Sequence, residues 1–200
     1  MSVQPYPAET HPVDAHPVEN LRHRERTNRL GLWLFILSDS FVFGALLFTR
    51  FYLLGNDRPE LIQWLGLVVT VVLLASSFFM NRAEVQMSLG NRQGFLRNTL
   101  VTIVLGSLFL IGVVGVEWQV AHFGPAAGAQ GAIFYTMTGF HAFHVFTGVI
   151  FLSLVYRNAK KGLYSAEHHW PVEAAAVYWH FVDLVWIFFY PALYLIGTAL

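Results

Sequence analysis

The sequence predicts an all-α protein, a polytopic membrane helical bundle of five transmembrane helices. Of its 200 residues, 56% are hydrophobic and only 12% are charged, whereas soluble domains carry about 25% charged residues. The apolar residues form five runs, each close to the roughly 20 residues that a helix needs to cross a bilayer. We predict the spans at about 30–54, 61–80, 98–122, 133–156 and 173–200.

Polar and helix-breaking residues separate these runs, and the linkers are too short for a soluble domain. They contain the Gly, Pro, Asn and basic residues at 55–59, 90–92, 124–125 and 160–162. The first apolar run is too long for the hydrophobic region of a signal peptide, so we expect it to remain as a helix. The sequence therefore predicts a flexible polar cytoplasmic tail at 1–28 and a transmembrane domain at 29–200. Metal binding by the tail histidines His11, His16 and His23 is the alternative.

Basic residues are distributed unevenly between the two ends of the predicted bundle. Arg50 and Arg58 are counted with the linker between the first and second spans, and the other ten of the 12 Lys and Arg residues lie at the opposite end. Cytoplasmic loops are enriched in Lys and Arg. We therefore predict that the N-terminus faces the cytoplasm and the C-terminus the outside.

Two features of the composition exclude whole classes of function. The chain has no cysteine, which excludes disulfides, iron–sulfur clusters and thiolate-ligated haem or copper. Its net charge is zero, so nothing indicates a nucleic-acid partner.

Several ionisable residues fall at membrane depth, where each needs a partner or a wet cavity. They are Asp39, Glu117, His141, His144, Glu173, His180 and Asp183. We interpret them as an intramembrane polar network. Matched depth predicts an inner cluster of Asp39, His180 and Asp183 that locks the first helix to the fifth, and an outer pair of Glu117 and His141. Structural hydrogen bonding, proton movement, and contact with a lipid headgroup or partner subunit all remain open.

Aromatic and basic residues are candidate lipid or subunit contacts. Trp179, Trp186 and Tyr190 share one stripe of the last helix with Asp183, and this stripe should face the bundle or another subunit. Trp33 and Arg92 lie near span ends. We expect the glycines within the spans to allow close helix contact.

A bound metal or haem is not the favoured interpretation, and no residue is assigned a catalytic role. His141 or His144 together with His180 could formally provide one bis-histidine haem site. However, His141 and His144 are too close in sequence to serve two stacked haems. No Glu-x-x-His pair, as in carboxylate-bridged metal sites, lies in a span.

Four segments resemble subunit III of the haem–copper terminal oxidases. The most specific is 172–190, with the core Tyr-Trp-His-Phe-Val-Asp-Leu-Val-Trp. Residues 138–145 resemble the family's Gly-Phe-His-x-x-His-Val helix, and residues 90–92 resemble its Gly-Asn-Arg loop. Residues 33–39 resemble its Trp-Leu-Phe-x-x-Ser-Glu motif.

The resemblance extends over about 28–198, and Glu117 falls where the family has a helix-end Glu. Asp39 stands where cytochrome c oxidase members usually have Glu and quinol-oxidase relatives often have Asp. The Val-Glu-Ala-Ala run that begins at Val172 resembles the cytochrome c oxidase branch, which we favour. Long members have two additional helices that line a lipid-filled cleft. The chain lacks these helices, so that wall would come from another chain or be absent.

The resemblance implies a non-redox core subunit of a respiratory cytochrome c oxidase in a bacterial plasma (inner) membrane. Haem and copper would be bound by partner subunits I and II, and none by this chain. A small subunit IV, a respiratory supercomplex and membrane phospholipid are further candidate partners. The subunit would stabilise the catalytic subunit and support proton uptake during electron transfer from cytochrome c to dioxygen.

Two alternatives remain at this point. One is a homologous subunit of a quinol oxidase or a nitric oxide reductase. The other, from a different class, is a stand-alone membrane b-type cytochrome.

Overall fold

Five long helices dominate the computed structural model, which describes the backbone of residues 17–199 and the side chains of residues 26–199. Within these residues, all five helices are long and apolar enough to cross a membrane, as the sequence predicts. They are α1 (Pro17–Leu54), α2 (Gln63–Ser88), α3 (Arg92–Val120), α4 (Gly128–Lys160) and α5 (Trp170–Leu195).

Helix α1 begins earlier than expected, at Pro17, so the proposed tail is helical from that residue. Proline suits the first turn of a helix, because its missing N–H has no partner there and its φ angle is already helical. The remainder of the proposed tail, with His11 and His16, lies outside the described residues.

The last helix ends at Leu195 instead of continuing to residue 200. At Gly197 the backbone adopts φ 108°, which favours glycine. The chain then forms a two-residue strand, β2 (Thr198–Ala199), which pairs in parallel with β1 (Asp57–Arg58). This pairing ties the end of α5 to the linker between α1 and α2.

Two helices change to π-helical geometry towards this same end of the bundle. In α3 the π segment is Ile111–Glu117, and in α5 it is Pro191–Leu195. Pro191 has no N–H to donate to the preceding turn, which accounts for the wider turn in α5. Wider turns leave carbonyl groups that need other donors.

Helices α2, α3, α4 and α5 form a closed ring, and α1 packs outside it against α4 and α5. Trp179 of α5 is at the centre of the ring. Its ring packs where a Cβ at Gly106 of α3 would overlap it, and 3.0 Å from the Cβ position of Gly148 of α4. Its indole Nε1 donates to Ser76 Oγ of α2 at 3.0 Å. One side chain therefore contacts the other three helices of the ring.

Candidate functional site

Asp39 lies between α1 and α4. His144 Nε2 of α4 is 3.1 Å from Asp39 Oδ2, and both side chains are mostly buried. The other ring nitrogen of His144 lies 2.8 Å from the Phe140 carbonyl of its own helix. Asp39 therefore joins α1 to α4 in the interior of the bundle.

His180 and Asp183 lie instead between α5 and α2. His180 Nδ1 is 2.7 Å from Ser77 Oγ, and the Asp183 side chain lies near the same hydroxyl group. The expected cluster of Asp39, His180 and Asp183 is therefore wrong. Depth along the helices is matched, but α1 presents Asp39 to α4. The partner on α2 is Ser77, which no sequence pattern singles out.

The expected outer pair of Glu117 and His141 is also wrong. The Glu117 carboxylate accepts a hydrogen bond from the Tyr194 hydroxyl, within the π-helical end of α5. Neither ring nitrogen of His141 has a hydrogen-bond partner among the side chains and backbone that the structure describes. Its imidazole packs against Trp186 and Phe109, with ring centroids 4.8 and 5.5 Å apart. Glu117 therefore fixes the ends of α3 and α5 to each other, and His141 fills an aromatic core.

Glu173, in the first turn of α5, forms an ion pair with α1. Arg29 Nη2 is 2.8 Å from Glu173 Oε2, and His169 Nε2 lies 3.5 Å from the other carboxylate oxygen. The Arg29 guanidinium also stacks 5.1 Å above the Trp170 ring. A carboxylate in the first turn is further favoured by the helix dipole.

The interpretation of Trp179 and Trp186 as lipid or subunit contacts is wrong, because both are buried within the chain. Trp186 Nε1 donates to Thr70 Oγ1 of α2 at 2.9 Å, as Trp179 does to Ser76. Each indole N–H thus finds its acceptor inside the bundle. Tyr190 is partly buried and stacks on Tyr194 with centroids 5.2 Å apart, while Trp33 is 60% exposed.

The linker at residues 90–92 caps three helix ends. Gly90 has φ 74° and follows the end of α2. The Asn91 side chain accepts from the Gly94 N–H at 3.0 Å and caps α3. The exposed Arg92 guanidinium donates to the Lys160 carbonyl at the end of α4. Arg92 therefore has a structural role within the chain, and its contact with lipid or a partner stays a prediction.

Sequence reasoning missed Arg50, which it placed in a linker. Arg50 is fully buried. Its guanidinium donates to the carbonyls of Ala192 at 2.6 Å, Ile196 at 2.7 Å and Gly55 at 2.8 Å. The first two acceptors lie at the π-helical end of α5, where carbonyl groups need donors. The seven-residue spacing of Ile36, Phe43 and Arg50 was the signal that could have identified it.

Comparison with known proteins places this bundle in a family. The family model described as "Cytochrome c oxidase subunit III" matches residues 20–198. This chain belongs to the cytochrome c oxidase subunit III family.

Relatives named cytochrome c oxidase subunit 3 are similar over most of the chain. The protein from Podospora anserina is 36% identical over 84% of this chain and 67% of its own length. The protein from Thermostichus vulcanus is 32% identical over 84% of this chain and 86% of its own length. The protein from Equus caballus is 35% identical over 85% of this chain and 70% of its own length. The chain is thus similar to cytochrome c oxidase subunit III across all five helices.

Membership of this family makes the chain a multi-pass membrane component of an oxidase complex. Among the side chains at residues 26–199, no three His, Asp or Glu residues are grouped so as to hold a metal ion. The three membrane histidines face different partners. His144 contacts Asp39, His180 contacts Ser77, and the ring of His141 is enclosed by Phe109 and Trp186.

Proposed function

We propose that this subunit III is a non-catalytic scaffold of a respiratory cytochrome c oxidase. It packs against catalytic subunit I and stabilises that subunit during turnover, while subunits I and II hold the haem and copper. It also supports proton uptake into subunit I. A small subunit IV, a respiratory supercomplex and phospholipids are further proposed partners.

The observation that carries this proposal is that ionisable side chains at membrane depth contact side chains of other helices in the same bundle. Asp39 contacts His144, Glu117 contacts Tyr194, and the Asp183 and His180 side chains meet at Ser77. Each contact joins two different helices. Side chains used in this way support helix packing, since an unpaired polar group in hydrocarbon costs several kcal/mol, on the order of a hydrogen bond made in an apolar medium.

We also propose that the chain lies in a bacterial plasma membrane with its N-terminal end in the cytoplasm. The excess of Lys and Arg at the end that bears Arg29, Arg92 and Lys160 supports this orientation. Because the chain has no cysteine, single cysteines can report the orientation. A cysteine at Glu167 should be shielded from a membrane-impermeant maleimide in intact cells, and a cysteine at Gly124 should be labelled.

The scaffold proposal is tested by the Asp183→Leu variant. We expect a lower yield of assembled oxidase, with turnover and proton pumping per assembled complex close to wild type. The matched control is Glu167→Leu, which removes an exposed carboxylate from the linker before α5 and should leave assembly unchanged. Normal assembly of the Asp183 variant with loss of pumping alone would instead make this carboxylate part of a proton route.

A visible spectrum of the purified chain separates the scaffold from a b-type cytochrome. The proposal expects no Soret band from the chain alone and a strong one from the complex that contains it. A Soret band that is retained by the isolated chain and lost in His144→Phe would overturn it.

A further inference from the structure

One polar side chain at membrane depth is incompletely partnered and points out of the bundle. His180 of α5 is partly exposed, and its Nδ1 bonds to Ser77. Its Nε2 makes no hydrogen bond to any residue that the structure describes, and it is not among the enclosed atoms. His180 is ten residues from Trp170, the start of α5, or about 15 Å along the helix. It therefore lies in the hydrocarbon region, beyond the reach of lipid headgroups.

Large exposed apolar side chains lie within about two turns of His180 on α5 and beside its partner Ser77 on α2. On α5, Leu184 and Phe188 are 51% and 57% exposed, and on α2, Leu74 and Phe78 are 40% and 60% exposed. We name these four residues together with His180 the α2–α5 face. It is an apolar membrane surface with one hydrogen-bonding group within it. Lipid tails would leave that group unsatisfied, whereas a side chain from another membrane helix would not.

The shape of the adjoining groove also suits a helix. Ser40 and Gly44 of α1 line it opposite Leu184 and Phe188 of α5. A Cβ at Gly44 would meet nothing within 4 Å, so the surface there is open. Small residues four apart let a second helix approach closely.

The hydrogen bonds available to Ser77 and His180 indicate what the neighbouring helix must supply. A serine hydroxyl can both donate and accept a hydrogen bond, and a neutral imidazole has one donor and one acceptor nitrogen. The bond between Ser77 and Nδ1 can therefore form with either tautomer of His180. Nε2 is an acceptor in one tautomer and a donor in the other, so the missing partner is a polar side chain such as a hydroxyl or an amide, which can serve either.

We propose that the α2–α5 face is the docking surface for a transmembrane helix of the catalytic oxidase subunit, which forms a hydrogen bond with His180 Nε2. This inference rests on the proposed association with that subunit. It adds the surface, the residue at its centre and the chemistry of the contact.

Steric variants test the surface without disturbing the core of the chain. Leu184→Trp and Leu74→Trp add bulk at exposed positions, and the matched control Leu154→Trp does the same on α4, where Leu154 is 50% exposed. The ratio of this chain to the haem-bearing subunit is measured in the purified complex. We expect the two face variants to lower that ratio about tenfold, the effect of losing one interface contact of about 1.4 kcal/mol. The control should match wild type.

A second set of variants tests the hydrogen bond. His180→Phe removes the outward hydrogen-bonding group and should release the chain, whereas His180→Gln restores a donor and an acceptor and should recover much of the ratio. Ser77→Ala breaks the internal bond but keeps Nε2, and should keep the chain in the complex. If Ser77→Ala releases the chain as strongly as His180→Phe, the role of His180 is internal and the docking inference is wrong.

The outcomes for docking and for the proposed function are distinguishable. Wild-type ratios for both Leu→Trp face variants would show that lipid covers the face, and would overturn the docking inference alone. Absence of the wild-type chain from the purified haem-containing complex would overturn the proposed function itself.

Discussion

Helices α5 and α1 are both apolar spans, but they are held in the bundle by different means. In the most apolar stretch of α5, 61% of the residues are buried, against 11% in α1. Helix α5 packs large aromatic rings into the centre of the ring of helices. Helix α1 exposes apolar residues around most of its surface, including Trp33, Leu34 and Phe41. The first helix is therefore peripheral within this chain, and the fifth is its core.

The contacts of α1 show how a peripheral helix is held when lipid replaces water. Apolar burial gives little drive for helix association in a bilayer, so packing and polar contacts carry it. Arg29, Ile36, Phe43 and Arg50 recur every seven residues and face the ring of helices, with Asp39 beside them. This seam has a charged or polar contact near each end and one in the middle.

The largest expected effect on the free energy of unfolding is for a variant in α5, and it distinguishes α5 from α1. Trp179→Ala should lower the free energy of unfolding by about 3–5 kcal/mol, as for a buried large aromatic side chain. It removes the ring packed against Gly106 and Gly148 and leaves Ser76 without its donor. Denaturation by sodium dodecyl sulfate in mixed micelles, followed by far-ultraviolet circular dichroism, measures this loss.

Trp33→Ala on α1 is the matched control for that variant. Trp33 is 60% exposed, so its truncation should change the free energy of unfolding by no more than about 0.5 kcal/mol. Equal losses for the two variants would contradict the division between a core helix and a peripheral one.

The sequence predicted the fold well because membrane spans depend on properties visible along a single chain. Apolar length and linker composition locate all five helices without knowledge of their neighbours. The ends were less predictable. Pro191 converts the last turns of α5 to π-helical geometry, and a glycine at 197 lets residues 198–199 pair with β1. Neither event leaves an apolar signal in the sequence.

Side-chain partners were far less predictable than the spans, for a physical reason. Depth along each helix can be counted, but rotation about its axis is set by packing. Asp39 and His180 lie at similar depths, yet α1 turns Asp39 towards His144 and α5 turns His180 towards Ser77. The tryptophans were misread for the same reason, since Trp179 and Trp186 face small and hydroxylated residues of neighbouring helices.

On α1 the largest loss is expected for Arg50→Met. The variant keeps side-chain length but leaves the carbonyls of Ala192, Ile196 and Gly55 without their donor. We expect a loss of about 2–3 kcal/mol, since an unsatisfied buried group costs about 1–3 kcal/mol. The same micelle titration measures it. Arg58→Met removes a single bond of 3.2 Å at a more exposed site, and should cost less than about 1 kcal/mol; the reverse order would contradict the role of Arg50.

A smaller effect is expected at the middle of the seam and can be isolated by a double-mutant cycle. Asp39→Asn and His144→Gln should be coupled by about 0.6–1.7 kcal/mol, the range for polar contacts between membrane helices. A parallel cycle of Asp39→Asn with His180→Gln should show coupling near zero, because His180 faces α2. Strong coupling in the second cycle and none in the first would restore the arrangement that depth alone suggested.

The smallest effect is expected at the end of the seam, where Arg29 pairs with Glu173. The Arg29 side chain is 54% exposed, and exposed ion pairs contribute about 0.2–1 kcal/mol. Arg29→Gln should therefore cost less than Asp39→Asn, and most of the cost should vanish in 1 M salt, where the Debye length falls to about 3 Å. Arg29→Lys separates the two contributions, since it retains the charge opposite Glu173 but loses the planar stack on Trp170. Two results together would contradict a role for the ion pair: the stability loss of Arg29→Gln is unchanged by salt, and Arg29→Lys loses as much stability as Arg29→Gln. In that case the contact with the Trp170 ring, and not the ion pair with Glu173, holds this end of α1.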